Sequence, residues 1–311
     1  MSKPGPYSGV YPILYAFFDA NGRIDEAAMR LQTEKCIETG CHGIAVLGNV
    51  TESGKLDRDE RLRLVEVVGE AIAGRVAYAV TIGDPGIEGQ KAFAREAAKA
   101  GADWVILQPP PVKGVPEKEI VRFFGAVADG CDLPVAIQNN PVNMDIWLTN
   151  DSLLALHRNH PNVAIMKAEG PAVTVQALME AAGGGLTIFS GQGGIEYMTN
   201  LRSGAAGLIP APDCLAHQIR IYELWREGTP EARAEAERLH REVLPLIVFM
   251  TRNLNTHQLP IGKRWVARHL GIEVHDRIPS AAVSRFGLAE LDNLVPGLKP
   301  FVRIKEASLA Q

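Results

Sequence analysis

Residues 162–169 read Asn-Val-Ala-Ile-Met-Lys-Ala-Glu. Val163, Ile165 and Lys167 alternate with Ala164, Met166 and Ala168, so on an extended chain the two β-branched residues and the lysine share one face, and Glu169 follows on that face two residues later. A short run that is apolar on both faces is the pattern of a strand buried in a parallel sheet. Of the chain's eleven lysines, Lys167 is the only one that ends such a run. If the β-branched residues point into a barrel, the lysine points inward with them.

Similar runs recur on both sides of this one, at Val10–Ala16, Gly43–Leu47, Val76–Thr81, Trp104–Leu107, Pro134–Gln138, Leu186–Ser190 and Ala206–Ile209, with Val163–Lys167 sixth in the series. Helical patterns separate them near 25–40, 57–73, 88–101, 116–130, 149–159, 171–182, 194–203 and 214–228. Asp57 with Glu60 three residues on reads as an N-cap and its capping-box partner. Eight strand–helix units predict a (β/α)8 TIM barrel, with a doubly wound sheet as the alternative fold. The strand signal stops at residue 228. Glu231–Met250 reads as an amphipathic-to-apolar helix and Leu259–Leu270 continues in the same manner, which predicts a barrel over 1–228 and a C-terminal helical extension over 229–311. Leu244–Met250 is apolar on every side and is expected to be buried against the barrel or a neighbouring subunit.

Composition narrows the function classes. The 311 residues are 46% hydrophobic and 22% charged with 30 Gly and 20 Pro, which excludes a disordered or collagen-like chain. A net charge of −4 without a basic run longer than a dipeptide excludes the electrostatic footprint that nucleic acid or an anionic membrane requires, and leaves a small molecule as the expected partner. Cys36, Cys41, Cys131 and Cys214 have no CxxC spacing, and the N-terminal MSKPGPYSGVYP lacks the apolar stretch of a signal peptide, so the expected compartment is the cytoplasm. Asn49-Val50-Thr51 matches a glycosylation acceptor only by chance in that setting.

In a barrel, chemistry belongs at the C-terminal ends of the strands, where Lys167 stands. A desolvated ammonium loses its proton more readily, and the free amine can form a Schiff base with a ketone. A lysine at that position can also simply snorkel or pair with Glu169. His157 and His160 share a helix face, but no carboxylate or cysteine set completes a site, so no metal is expected. Gly191-Gln192-Gly193-Gly194 could cradle a phosphate or could form a turn in which Gly191 and Gly193 make room for a hydroxylated substrate. Tyr7, Tyr11 and Tyr15 recur through the first strand region, either as packing or as hydroxyl donors.

Several motifs carry a family resemblance in order and spacing. Gly48-Asn49-Val50-Thr51-Glu52-Ser53 with Leu56 and Asp59-Glu60-Arg61 stands where one family has G-T-T-G-E and a downstream L-S-x-x-E-R. Pro109-Pro110-Pro111 stands at its P-P-Y, Gln138-Asn139-Asn140-Pro141 at its Y-N-x-P and Ile165–Glu169 at its Schiff-base lysine segment. Ser190-Gly191 and Gly204-Ala205-Ala206-Gly207 fall at its later landmarks. The chain thus resembles the dihydrodipicolinate synthase / N-acetylneuraminate lyase family over nearly its full length. The resemblance implies a barrel with a helical tail, commonly a homotetramer, acting on 2-oxo acids through Lys167 without metal or organic cofactor.

The departures from the family pattern are informative. The proton-shuttling tyrosine is Gln138 and the two threonines are Asn49 and Val50. A carboxamide cannot exchange a proton at neutral pH, so the hydroxyl relay is missing. By the same resemblance, backbone N–H groups near Asn49 and Val50 would hold the substrate carboxylate. Asn143 replaces the arginine with which dihydrodipicolinate synthases bind a second carboxylate, which argues against that activity. Two carboxylic acids could take over the proton transfers: Glu169, otherwise a partner for the lysine, and Glu196, otherwise a first-turn helix residue. This combination is similar to the 2-keto-3-deoxy sugar-acid dehydratases of the family. It implies loss of water from such an acid, L-2-keto-3-deoxyarabonate giving 2,5-dioxopentanoate in the first instance. A pyruvate-yielding aldolase on the same lysine and a non-catalytic 2-oxo-acid-binding barrel are the alternatives.

Overall fold

The computed structural model describes residues 7–142, 144–252 and 259–304. Asn143, at the position of the family's arginine, lies outside the described residues, as do the first six residues of the chain. Eight strands, β1 (Gly9–Val10), β2 (Gly43–Val46), β3 (Ala77–Ile82), β4 (Trp104–Leu107), β5 (Val135–Asn139), β6 (Val163–Ala168), β7 (Thr187–Ser190) and β8 (Gly207–Leu208), form one sheet in the order β1-β8-β7-β6-β5-β4-β3-β2. Every pairing is parallel. The chain beyond β1 closes the circle: Ile13 bridges Ala45, the Ala45 N–H donates to Pro12 O and the Leu14 N–H donates to Ala45 O. This is a (β/α)8 barrel and not an open doubly wound sheet.

Helices α1 (Glu26–Thr39), α2 (Arg58–Ile72), α3 (Ile87–Lys99), α4 (Glu117–Ala128), α5 (Asn150–Asn159), α6 (Ala172–Ala182), α7 (Tyr197–Ser203) and α8 (Leu215–Glu227) follow their strands in turn. The capping box at the start of α2 is present, with the Asp57 side chain on the Glu60 N–H and the Glu60 side chain on the Asp57 N–H. The first strand is shorter than the expected Val10–Ala16. Pro12 has no N–H to give, yet alternate donors persist, from Tyr11 N–H to Leu208 O and from Ile13 N–H to Pro210 O. Gly207 is required where β1 and β8 meet, because a Cβ there would lie 1.8 Å from Gly9 O.

Tyr11, Trp104 and Phe189 are buried, and their rings meet at centroid distances of 5.6, 5.2 and 5.7 Å. They come from β4, β7 and the residue after β1, which are not neighbours in the sheet, so they can meet only across the barrel axis. Their packing fills the interior and leaves the space for chemistry at the strands' C-terminal ends.

The extension comprises α9 (Pro230–Arg252), α10 (Leu259–Leu270) and α11 (Arg285–Leu294). The apolar Leu244–Met250 run divides: Leu246, Ile247 and Met250 are buried, while Pro245 and Val248 stay exposed. The buried face of α9 forms part of the wall of the barrel's mouth. The buried Lys263 of α10 pairs with Glu52 just after the Asn49–Thr51 turn, so the extension is also tied to the loop that follows β2. Among the described residues no helix is long and apolar enough to cross a membrane.

Candidate active site

Lys167 occupies the penultimate position of β6, in register with Gln138 on β5 and Phe189 on β7, and it is only 4% exposed. The parity argument therefore holds, and the amine stands inside the mouth of the barrel. Glu169 follows one residue past the end of β6, where its N–H still donates to Asn139 O at 3.0 Å. Its Oε1 lies 3.4 Å from Lys167 Nζ, and both side chains are buried.

A directed chain of amides holds the carboxylate. Gln138 Nε2 donates to Glu169 Oε2 at 2.6 Å, Gln108 Nε2 donates to Gln138 Oε1 at 2.9 Å, and the same Gln108 amide reaches Asn49 Oδ1 at 3.2 Å. The Gln192 N–H donates to Glu169 Oε1 at 3.3 Å, and the Gln192 side chain donates to the Glu169 carbonyl. Each of the Gln138 and Gln192 contacts presents a donor to the carboxylate oxygens or to the backbone carbonyl of Glu169. Gly191 makes this possible, because a Cβ there would come within 2.1 Å of Glu169 Cγ. Gly193 takes a left-handed φ of 61° in the turn that follows. With the Gln192 N–H spent on Glu169 and an anion lying against Gly191, the glycine turn is no phosphate cradle.

The cavity around Lys167 and Glu169 is lined by Tyr15, Asn49, Val50, Gln192, Gly193 and Asp213, and on its apolar side by Ile13, Leu246, Ile247 and Met250. Asn49 and Val50 open a short helical turn, whose leading N–H groups have no acceptor within the turn. Asp213 lies on the turn after β8. Burial pushes its carboxyl up to about 6, and the Tyr15 hydroxyl donates to its Oδ1 at 2.9 Å. Desolvation and the adjacent Asp213 hold the Tyr15 phenol well above its usual range, so it remains a donor.

Glu196 is not brought to this cavity. The helical turn Gln192–Gly194 redirects the chain, Glu196 is exposed, and its Oε2 accepts from the Ala172 N–H at 2.9 Å. There it satisfies an otherwise unpaired donor at the start of α6, where a carboxylate also suits the helix dipole. Tyr7 and Tyr11 are likewise elsewhere, Tyr7 on Asp103 O and Tyr11 in the aromatic interior. His157 contacts Val163 O and His160 contacts Asp129, so each is spent on a structural contact. Among the described residues no group of three or more His, Cys, Asp or Glu could hold a metal ion. Gln108, Gln192 and Asp213 were not read from the sequence as site residues. Gln108 could have been, since a polar residue directly ends the apolar run Trp104–Leu107.

An amine and a carboxylate 3.4 Å apart, both buried, can bind a ketone covalently and move a proton at the adjacent carbon. Known proteins share the whole architecture. The family model described as the dihydrodipicolinate synthetase family matches residues 6–296. The 4-hydroxy-tetrahydrodipicolinate synthase of Pelobacter propionicus is 28% identical over 274 residues, 87% of this chain and 92% of that one. The L-2-keto-3-deoxyarabonate dehydratase of Azospirillum brasilense is also 28% identical, over 250 residues, covering 78% of this chain and 79% of that one. Among solved structures, the 4-hydroxy-tetrahydrodipicolinate synthase of Methylacidiphilum fumariolicum SolV superposes with a TM-score of 0.84 at 26% identity, covering 93% of this chain and 94% of that one. With a family match spanning barrel and extension alike, the chain belongs to the dihydrodipicolinate synthetase family of Schiff-base lyases.

Proposed function

We propose that the protein removes water from a 2-keto-3-deoxy sugar acid through a Schiff base on Lys167, with L-2-keto-3-deoxyarabonate as the leading substrate and 2,5-dioxopentanoate as the product. The observation that carries this reading is the Glu169 carboxylate, 3.4 Å from Lys167 Nζ and gripped by the Gln138 amide where the family resemblance places a tyrosine. That arrangement supplies a base beside the future iminium and puts an amide, which cannot relay a proton, where the family's phenol would stand. The similarity to the Azospirillum brasilense dehydratase supports the choice of substrate.

In this mechanism the leading N–H groups at Asn49 and Val50 hold the C1 carboxylate, Gly193 on the cavity wall leaves room for the chain, and Gly191 makes room for Glu169. Lys167 Nζ attacks C2 and the carbonyl oxygen departs as water, giving an iminium that acidifies the C3 hydrogens. Glu169 takes a C3 proton, the resulting enamine expels the C4 hydroxyl, and Glu169 returns the proton to it, so that the second water leaves. The C3–C4 double bond left behind then loses a proton from C5 and regains one at C3, giving a C4–C5 enol that tautomerises to the aldehyde, and water hydrolyses the imine to free the lysine. One carboxylate serves both steps, which removes any need for Glu196. Mutagenesis of other enzymes attributes roughly 100- to 10,000-fold of rate to a group in such a role.

Incubation with a panel of 2-keto-3-deoxy acids, followed by NMR of the products, tests the reading. A 2,5-dioxo or semialdehyde product without pyruvate supports dehydration; pyruvate would mean aldol cleavage, and no turnover would mean a binding barrel. We further place the enzyme in the cytoplasm as a homotetramer. Four free, buried cysteines suit a reducing compartment and the family resemblance supplies the assembly, which light scattering at micromolar concentration checks.

A further inference from the structure

The same cavity contains a second buried carboxylate that the mechanism above does not use. Asp213, 8% exposed, enters it from the turn after β8, beside Tyr15 from the segment after β1, and these two strands are neighbours in the sheet. Tyr15 spends its hydroxyl on Oδ1, while Oδ2 takes no hydrogen bond and no cation pairs with Asp213 among the described residues. Gln218 lines the cavity as well. Its Nε2 donates to Gly193 O at 2.9 Å, which leaves its carbonyl Oε1 buried without a donor. This wall therefore carries an anion whose Oδ2 has no partner among the described residues, whereas Gln218 Oε1 is enclosed. Among the described residues, the one cationic residue lining the cavity is Lys167, already faced by Glu169.

With C2 on Lys167 and the C1 carboxylate on the turn after β2, the β8–β1 side is the polar wall left for the rest of the substrate. A hydroxyl donates a proton to such a wall; a carboxylate can only accept and adds a like charge in a desolvated place. We propose that Asp213, held by Tyr15 and flanked by Gln218, is a specificity-determining residue that binds a hydroxylated substrate tail and excludes tails ending in a carboxylate. The inference rests on the Schiff-base reading of Lys167 and narrows its substrates to monocarboxylic 2-oxo acids with a neutral polyol end. The raised carboxyl of Asp213 accords with an anion that is buried without a counter-charge.

The test uses three probes that differ only at C5: 2-oxopentanoate, 5-hydroxy-2-oxopentanoate and 2-oxoglutarate. Each is titrated against the full-length protein with borohydride, the adduct on the Lys167 peptide is read by mass, and half-saturation is expressed relative to pyruvate, which has no tail. Wild type should take the hydroxymethyl acid at least about tenfold more readily than the dicarboxylate, since a hydrogen bond to a charged group alone accounts for that factor. Asp213→Asn, nearly isosteric, should bring the dicarboxylate to within about threefold of the hydroxymethyl acid, as removal of like-charge opposition requires. Tyr15→Phe retains the charge and should retain the exclusion. If wild type accepts the dicarboxylate as readily as the hydroxymethyl acid, or if Asp213→Asn leaves the ratio unchanged, the assignment is wrong while the lysine chemistry stands; should that variant not fold, the wild-type ranking alone decides. Absence of an adduct with every probe and with pyruvate would instead overturn the Schiff-base reading, and this inference with it.

Discussion

Replacement of Glu169 by glutamine should separate proton transfer from covalent binding. The variant keeps the size of the side chain and its place against Gly191 but loses the ability to take a proton from C3. A positioned base contributes roughly 100- to 10,000-fold, or about 2.7 to 5.4 kcal/mol of barrier. Gln138→Ala acts only at one remove. It deletes a single 2.6 Å donor to Glu169 Oε2, while the Gln192 N–H and Lys167 continue to hold Oε1. A hydrogen bond to a charged group is worth about 1.5 to 3 kcal/mol, and water admitted to the space left by the amide restores part of it. Turnover should therefore fall by tens-fold at most in Gln138→Ala and by at least tenfold more than that in Glu169→Gln. The assay is kcat from semialdehyde formation at saturating substrate, with borohydride trapping of pyruvate run on the same preparations. Trapping should persist in both variants. Equal losses of kcat in the two, or loss of trapping in Glu169→Gln, would refute the role given to the carboxylate.

Three further perturbations follow from the geometry. Gly191→Ala places a Cβ 2.1 Å from Glu169 Cγ and should displace the carboxylate, lowering kcat at least about tenfold, in the manner of a misplaced catalytic group, with the barrel still folded by circular dichroism. Glu196→Gln removes charge at the start of α6 but can keep the contact to the Ala172 N–H; kcat should stay within about twofold and stability should fall by less than about 1 kcal/mol in urea titration, whereas a large loss of kcat would return Glu196 to the mechanism. Asp213 titrates at about 6 in the fold against 3.8 in a model peptide, so the folded state binds the extra proton and this contribution to stability declines as pH rises from about 4 through 6. Asp213→Asn should accordingly raise Tm at pH 7 relative to wild type and flatten the pH dependence across that window; a lower Tm at pH 7 would contradict the buried, unpaired carboxylate.

The barrel was legible because each strand is a short apolar run bounded by turn residues, and because Lys167 breaks the apolar pattern of its run at one position only. Parity alone then put the amine inside. Glu169 was legible for the same reason, two residues further along the same face. Glu196 was misplaced because its position depends on a turn: Gly193 at a left-handed φ folds Gln192–Gly194 into a helical turn, and sequence spacing says nothing about where the next side chain points after it. The amide chain from Asn49 through Gln108 and Gln138 to Glu169 joins the ends of four strands, β2, β4, β5 and β6, and only the closed barrel brings these together. Asp213 and Tyr15 are 198 positions apart in sequence and meet because β8 and β1 are neighbours. Leu244–Met250, apolar on every side, was expected to be buried, and only Leu246, Ile247 and Met250 are; which of its faces joins the cavity wall depends on how the extension docks, which periodicity does not encode.

The most direct measurement is the mass of the Lys167-containing peptide after borohydride is added during turnover of L-2-keto-3-deoxyarabonate. Dehydration leaves every carbon of the substrate on the lysine, so the reduced adduct should carry five carbons, with part of the population one water lighter than the reduced substrate imine, and Lys167→Ala should carry none. A three-carbon, pyruvate-derived adduct would establish aldol cleavage in place of dehydration, and an unmodified Lys167 during turnover would contradict the Schiff-base mechanism itself.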